Sequence, residues 1–225
     1  MLSIVIPTLN AVRGLRQTLD SIAAVTDDLP CEVIVADGGS VDDTHLIAAE
    51  CGAIFLETRR GRGWQLGEGA KAAAGEWLMF LHADTVPQEG WARTVSAFMA
   101  DHTNRRRAGY FRFALDDHAA GARWLERVVA LRSRIVGLPY GDQGLLISRE
   151  YYEGVGGFKN MPLMEDVDLV RRIGRSRLTA LDAVAVTSAE RYRREGYLWR
   201  PLRNAFCLGL YSAGVPPKYI HSLYR

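Results

Sequence analysis

Four apolar runs in the first part of the chain each lead to a polar residue that could do chemistry. Asn10 follows Leu2 to Pro7, Asp37 follows Glu32 to Ala36, Arg60 lies beyond Ile54 to Leu56, and Asp84 follows Trp77 to His82. A carboxylate such as Asp84, at the end of a buried strand, suits a hard divalent cation that holds phosphate oxygens. It could equally open a turn before Val86-Pro87, a common place for aspartate. His82 stands two residues earlier, on the same side of an extended chain. Asp37 is a carboxylate within reach of a base or ribose. Arg60 and Arg62 lie in a glycine-rich stretch, and the guanidinium fork suits phosphate. Further on, Glu165-Asp166 opens a short helical pattern. Gly141-Asp142-Gln143-Gly144 sets two hydrogen-bonding side chains between glycines that permit close backbone approach. It also reads as a tight turn before a strand.

These residues need a frame, and the spacing of apolar residues supplies one. Strand patterns at Leu2–Pro7, Glu32–Ala36, Ile54–Leu56 and Trp77–His82 alternate with helical patterns. The first helix runs from about Val12 to Val25, with Leu15, Leu19 and Ile22 on one face and Asn10 as a candidate cap. The alternation predicts an α/β fold, a parallel sheet with helices on both faces. In such a sheet the four polar residues share one edge, where ligands of open α/β sheets bind. The second half is less regular. It reads as a helix at about Gly90–Asp101, a strand at Ala108–Leu115 and an amphipathic helix at Ala119–Ile135. A strand at Leu145–Ser148, a helix at Met164–Gly174, a strand at Val184–Val186 and a helix at Leu198–Ala213 follow. Neither a G-x-G-x-x-G turn nor a Gly-Lys-Ser/Thr loop occurs, which disfavours dinucleotide-binding and P-loop sites.

Composition narrows the classes. The 225 residues suffice for one compact domain. Three widely spaced cysteines, without a C-x-x-C pair, predict no disulfide framework and a reducing, cytoplasmic setting. The N-terminus lacks a basic region and signal-like core, and no apolar run reaches the length of a membrane span. Ser188–Arg225 holds seven basic residues (Arg191, Arg193, Arg194, Arg200, Arg203, Lys218, Arg225) against Glu190 and Glu195. That tail is net +5 in a chain of net +2, so the rest is net −3. Basic residues outside the tail are balanced by acidic ones, which disfavours a nucleic-acid partner.

The motifs Ile4-Val5-Ile6-Pro7-Thr8-Leu9-Asn10, Val33 to Thr44 with Asp37-Gly38-Gly39-Ser40, His82-Ala83-Asp84 and Glu165-Asp166 together resemble the inverting family 2 glycosyltransferases. The resemblance covers about Leu2 to Gly174. Leu81 to Thr85 and the Gly-Asp-Gln-Gly stretch further resemble a small bacterial subgroup of stand-alone members. Some of these are labelled arsenosugar-biosynthesis glycosyltransferases. The resemblance implies the GT-A fold, a single Rossmann-like mixed sheet. About 1–115 would form the nucleotide-sugar half and about 116–225 the acceptor half.

It also implies roles. Pro7, Asn10 and Asp37 would line the nucleotide pocket, with Arg60, His82, Ala83 and Asp84 continuing the donor site. Asp84 would be the metal ligand, holding Mn²⁺ or Mg²⁺ against the diphosphate. His82 replaces the first aspartate of the family's Asp-x-Asp motif. Asp166, paired with Glu165, would be the general base, with Asp168 a rival on another face of the helix. Asp142 and Gln143 would face the acceptor, and Arg191 and Arg194 the diphosphate. The partners are then a nucleotide sugar, with UDP the expected base, and a hydroxyl acceptor. The C-terminal helix carries Leu198, Leu202, Ala205, Phe206, Gly209 and Leu210 on one face. That face can pack on the core, pair with a second copy, or rest on an anionic membrane surface on the inner side. Two other functions compete. A nucleotidyltransferase needs a cationic glycine loop after the first strand, and Thr8–Gly14 offers only Arg13 and one glycine. A non-catalytic sugar-nucleotide binder would not need Asp84 and Asp166 intact.

Overall fold

The computed structural model describes residues 1–25 and 28–224. The first half winds as the spacing predicts: β1 (Leu2–Thr8), α1 (Val12–Ala23), β2 (Cys31–Asp37), α2 (Thr44–Glu50), β3 (Ile54–Glu57), α3 (Arg62–Ala72) and β4 (Trp77–Phe80). The second half adds β5 (Thr85–Pro87), α4 (Trp91–Ala100), β6 (Ala108–Leu115), α5 (Ala120–Val136), β7 (Leu145–Ser148) and α6 (Arg149–Gly154). It ends with α7 (Glu165–Ile173), β8 (Leu178–Thr187), α8 (Glu190–Glu195), α9 (Trp199–Ser212) and α10 (Pro217–Tyr224). Arg225, counted in the basic tail, lies outside the described residues.

One eight-stranded sheet has the order β3-β2-β1-β4-β7-β6-β8-β5. β1 to β4 are mutually parallel, with Thr8 opposite Asp37 and Asp37 opposite Glu57, so these strand ends share an edge. β7 runs antiparallel to both β4 and β6, and β5 runs antiparallel to β8, so the sheet is mixed. Alternation along the strands divides the core. Ile4, Ile6 and Met79 face Leu15, Leu19 and Trp91 on α1 and α4, while Val5, Leu78 and Phe80 belong with Leu66 of α3 and Leu169 of α7. Each fully buried side chain of this size contributes about 1.5–3 kcal/mol.

Several expectations change. β4 ends at Phe80, so His82 and Asp84 lie in a turn closed by Thr85 N–H donating to the His82 carbonyl at 3.2 Å. The chain must leave the parallel edge there, because β5 pairs with β8 at the other end of the sheet order. Asn10 does not cap α1. It sits at φ 52° and accepts from Val41 N–H, while Asp42 and Thr44 accept from the N–H groups of Val12 and Ala11. β8 is ten residues long rather than three, its apolar alternation masked by Thr179 and Asp182. For α9, of the alternatives left open, the structure turns the apolar face outward. Arg200 and Cys207 face inward, whereas Leu198, Trp199, Leu202 and Phe206 are exposed. No helix among the described residues is long and apolar enough to cross a membrane.

Candidate active site

The edge formed by β1 to β4 opens into a cleft of about 1100 Å³. Pro7 and Asn10 line it from the end of β1, Arg60 from the loop before α3, and Ala83 and Asp84 from the turn after β4. Arg191, on the first turn of α8, lines it from the opposite end of the sheet. The Ala83–Asp84 turn is held from behind by α1. Thr18 Oγ1 donates to the Ala83 carbonyl at 3.0 Å, and Ser188 N–H donates to the Asp84 carbonyl at 3.1 Å. Gly14 makes that approach possible, since a Cβ there would stand 2.9 Å from the Ala83 oxygen and 3.0 Å from Asp84 Cα.

His82 also lines the cleft and separates it from a smaller cavity. Its Nε2 lies 3.4 Å from Arg62 Nη1, and the other arm of Arg62 pairs with Glu165, Nε to Oε1 at 2.9 Å. Burial and then the Arg62 guanidinium push the His82 imidazole down to about 4, against the pull of Asp84 and Asp166. The ring is therefore neutral at neutral pH, able to donate from one nitrogen and accept at the other. Gly141 packs against it so closely that a Cβ would come within 2.6 Å of Nε2. Gly141 N–H in turn donates to Asp166 Oδ2 at 2.9 Å, and Val167 N–H to Asp166 Oδ1 at 2.7 Å. Asp166 is the second residue of α7, which opens at Glu165 after Met164, whose φ of 66° is rare for a side chain of its size. Beside it, burial pushes the Asp142 carboxyl up to about 6, with Arg132 opposing and Asp166 and Asp84 adding. Asp142 Oδ1 is buried without a partner among the described residues.

Four expected site residues have other duties. Asp37 is buried, and its carboxylate accepts from Thr8 Oγ1, Gly39 N–H, and both the N–H and Oγ of Ser40. That set builds the loop after β2 instead of reaching for a base or ribose. Gln143 is also buried. It accepts from Ser133 Oγ at 2.8 Å and donates to the Phe111 carbonyl at 3.2 Å, which ties α5 to β6. Glu165 holds Arg62, and it lines the small cavity beside His82 together with Asp166, neither of them lining the cleft itself. Burial raises its carboxyl, with Arg62 opposing. Arg194 pairs with Glu195 and does not line the cleft. The rival base Asp168 is engaged by Arg172 at 2.6 Å and Lys159 at 3.1 Å.

Sequence reasoning missed Gln65, whose Nε2 donates to the carbonyls of Thr8 and Ala36 and pins the ends of β1 and β2 together. Its signal is a polar residue at a core position of α3, between Gly63 and Leu66.

No group of three or more His, Cys, Asp or Glu side chains able to hold a metal alone occurs among the described residues. A lone accessible carboxylate fits a cation whose remaining ligands are water and substrate phosphates, the habit of Mg²⁺. Asp84, in a cleft with Arg60 and Arg191, offers that donor set.

This architecture is the GT-A fold. The Staphylococcus aureus TarS 1–349 structure aligns with 99% of this chain and 70% of its own at TM-score 0.66 and 16% identity. Glucosyl-3-phosphoglycerate synthase from Mycobacterium tuberculosis aligns at TM-score 0.63 and 19% identity, over 96% of this chain and 80% of its own. Residues 3–109 match the model of glycosyl transferase family 2. A PGL/p-HBAD biosynthesis glycosyltransferase of Mycobacterium bovis is 36% identical over 110 residues, 45% of this chain and 43% of that protein. The M. tuberculosis glucosyl-3-phosphoglycerate synthase sequence is 32% identical over 94 residues, 38% of this chain and 29% of that protein. The matches thus span less than half the length of these relatives.

Proposed function

We propose that the protein is a metal-assisted, inverting glycosyltransferase that moves a sugar from a nucleotide sugar to a hydroxyl acceptor. The observation that carries this reading is the position of His82. It lines both the cleft that holds Asp84 and the small cavity that holds Asp166, so a donor anchor and a base converge on one place. UDP is the proposed nucleotide, because the family 2 relative glucosyl-3-phosphoglycerate synthase has been crystallised with UDP-glucose and Mn²⁺, and with UDP and Mg²⁺.

In this reading about 1–115 hold the donor and about 116–225 face the acceptor. Pro7 and Asn10 line the nucleotide end. Arg60 and Arg191 face the diphosphate. Asp84 would hold Mn²⁺ or Mg²⁺, which would supply neutralisation of charge on the departing nucleoside diphosphate. The acceptor oxygen attacks the anomeric carbon from the face opposite the leaving group. The new carbon–oxygen bond forms as the bond to the phosphate oxygen breaks, and the electron pair leaves with the diphosphate. Asp166 takes the acceptor proton, held in orientation by Gly141 N–H and Val167 N–H. Asp142 hydrogen-bonds the acceptor. The free cysteines Cys31, Cys51 and Cys207 fit a reducing compartment and support a cytoplasmic site of action.

The test is Asp166→Asn. Turnover should fall about 10²- to 10⁴-fold, the contribution of a positioned base, while UDP-sugar affinity measured by calorimetry stays near wild type. A variant with near-normal turnover removes Asp166 as the base.

A further inference from the structure

A surface helix ordinarily turns its apolar stripe to the core. Two neighbouring helices here present large apolar side chains outward. On α5, Trp124, Val128, Leu131 and Ile135 form an outward stripe at helical spacing, opposite the buried Leu125 and Val129. On α9 the arrangement is inverted outright. Arg200 is turned inward and paired with Glu195 at 2.9 Å, whereas Trp199 is 76% exposed, Leu202 58% and Phe206 60%. The helices start side by side, since a Cβ on Gly121 in α5 would lie 3.0 Å from the Tyr197 ring just before α9. Packing among the described residues leaves these side chains exposed, and large exposed apolar surface marks an interaction site.

Charge selects the occupant. Arg127 and Arg134 are exposed on α5 among the apolar residues. Neither 127–141 nor 196–225 contains an aspartate or glutamate. A second copy meeting this face symmetrically would bring like charges together. Anionic headgroups would complement it, and tryptophan favours the boundary between headgroup and acyl chain. We propose that the outward faces of α5 and α9 dock on a lipid bilayer carrying anionic headgroups. The apolar side chains enter the boundary while Arg127 and Arg134 meet phosphates. This proposal is independent of the glycosyltransferase reading.

Co-sedimentation of the full chain with vesicles tests it, using phosphatidylcholine alone and phosphatidylcholine with about one-third phosphatidylglycerol. The protein should pellet with the acidic vesicles, stay in solution with the neutral ones, and release at high salt. Tryptophan fluorescence should shift to the blue on binding, and Trp199→Phe should diminish the shift. Arg127→Gln and Arg134→Gln should each weaken binding about fivefold. The double variant Leu131→Glu/Phe206→Glu should abolish it with an unchanged thermal melt, because both side chains are exposed. Absence of pelleting, equal pelleting with neutral vesicles, or unaltered binding by the double variant would overturn the proposal. So would a lipid-free dimer that the same double variant dissociates, without vesicle binding, which would assign the face to a second copy.

Discussion

At the scale of single residues, the site depends on how closely backbone segments approach one another. Gly14 brings the first turn of α1 against the Ala83–Asp84 turn, and an added methyl would meet backbone atoms at 2.9 and 3.0 Å. Backbone on one side and helix on the other cannot yield as a side chain tip can. Gly14→Ala should therefore cost about 1–3 kcal/mol, the usual effect of overpacking, and it should displace the carboxylate proposed to anchor the metal. Gly209 on α9 supplies the contrast, since nothing lies within 4 Å of a Cβ there. Gly209→Ala should stabilise the chain by about 0.5–1 kcal/mol through helix propensity. Thermal melts of both variants, with UDP affinity measured in Mn²⁺, check the pair. A Gly14→Ala protein with wild-type stability and affinity would show that the turn shifts freely.

At the scale of elements, α7 joins two cores while presenting Asp166. Leu169 and Ile173 pack beneath the sheet, and Val167 and Val170 join Cys207 of α9 and Ile220 of α10. The other side of α7 is tied down through Asp168. Burial works against its charge, but hydrogen bonds from Arg172 and Lys159 hold its carboxyl below the ordinary value. Arg172 also donates to the carbonyls of Val155 and Gly157, fastening the loop after α6. Asp168→Asn should cost about 2 kcal/mol, in the range for hydrogen bonds to a charged group. The sign follows from the lowered pKa. The contribution is fully present above the unfolded aspartate value of about 3.9 and is lost as pH falls through the lower folded value. Denaturant melts should separate wild type from variant at neutral pH and converge in acid. A gap that persists at the acid end would assign the loss to packing. The first-half strands were legible as continuous apolar runs, with β1 and β4 buried on both faces, and α1 as one apolar face with a regular period. The Asp168 network was only partly legible: Arg172 has the i,i+4 spacing that a helix brings together, whereas Lys159 meets Asp168 only through the fold. The same holds for Arg62 and Glu165, which come together only when α3 and α7 cover one face of the sheet. The direction of the α9 face stayed open for a different reason. Periodicity identifies an apolar face but not the direction in which that face points.

At the scale of the whole molecule, the cleft draws its lining from both ends of the sheet. Pro7 and Asn10 follow β1, while Val186 and Thr187 end β8 and Arg191 begins the helix beyond it. Thr85 Oγ1 and Thr187 Oγ1 meet at 3.0 Å, closing β5 onto β8 just past Asp84. A ligand that bridges this cleft binds the folded state alone, since no unfolded chain assembles residues so distant in sequence. Its binding energy then appears as stability. At a free concentration a hundredfold above its dissociation constant, the gain is about 2.7 kcal/mol. For a chain of this size that raises the melting temperature by about 5–10 °C. UDP with Mn²⁺ should produce this shift in a thermal-denaturation series. Mg²⁺ should support it too, a chelator should remove most of it, and other nucleoside diphosphates should give less. Asp84→Asn should reduce the response to UDP with Mn²⁺ to that of UDP with chelator. A shift of equal size with and without metal would remove Asp84 as the metal anchor. Stabilisation by no nucleotide would instead sink the donor-site assignment for the entire cleft.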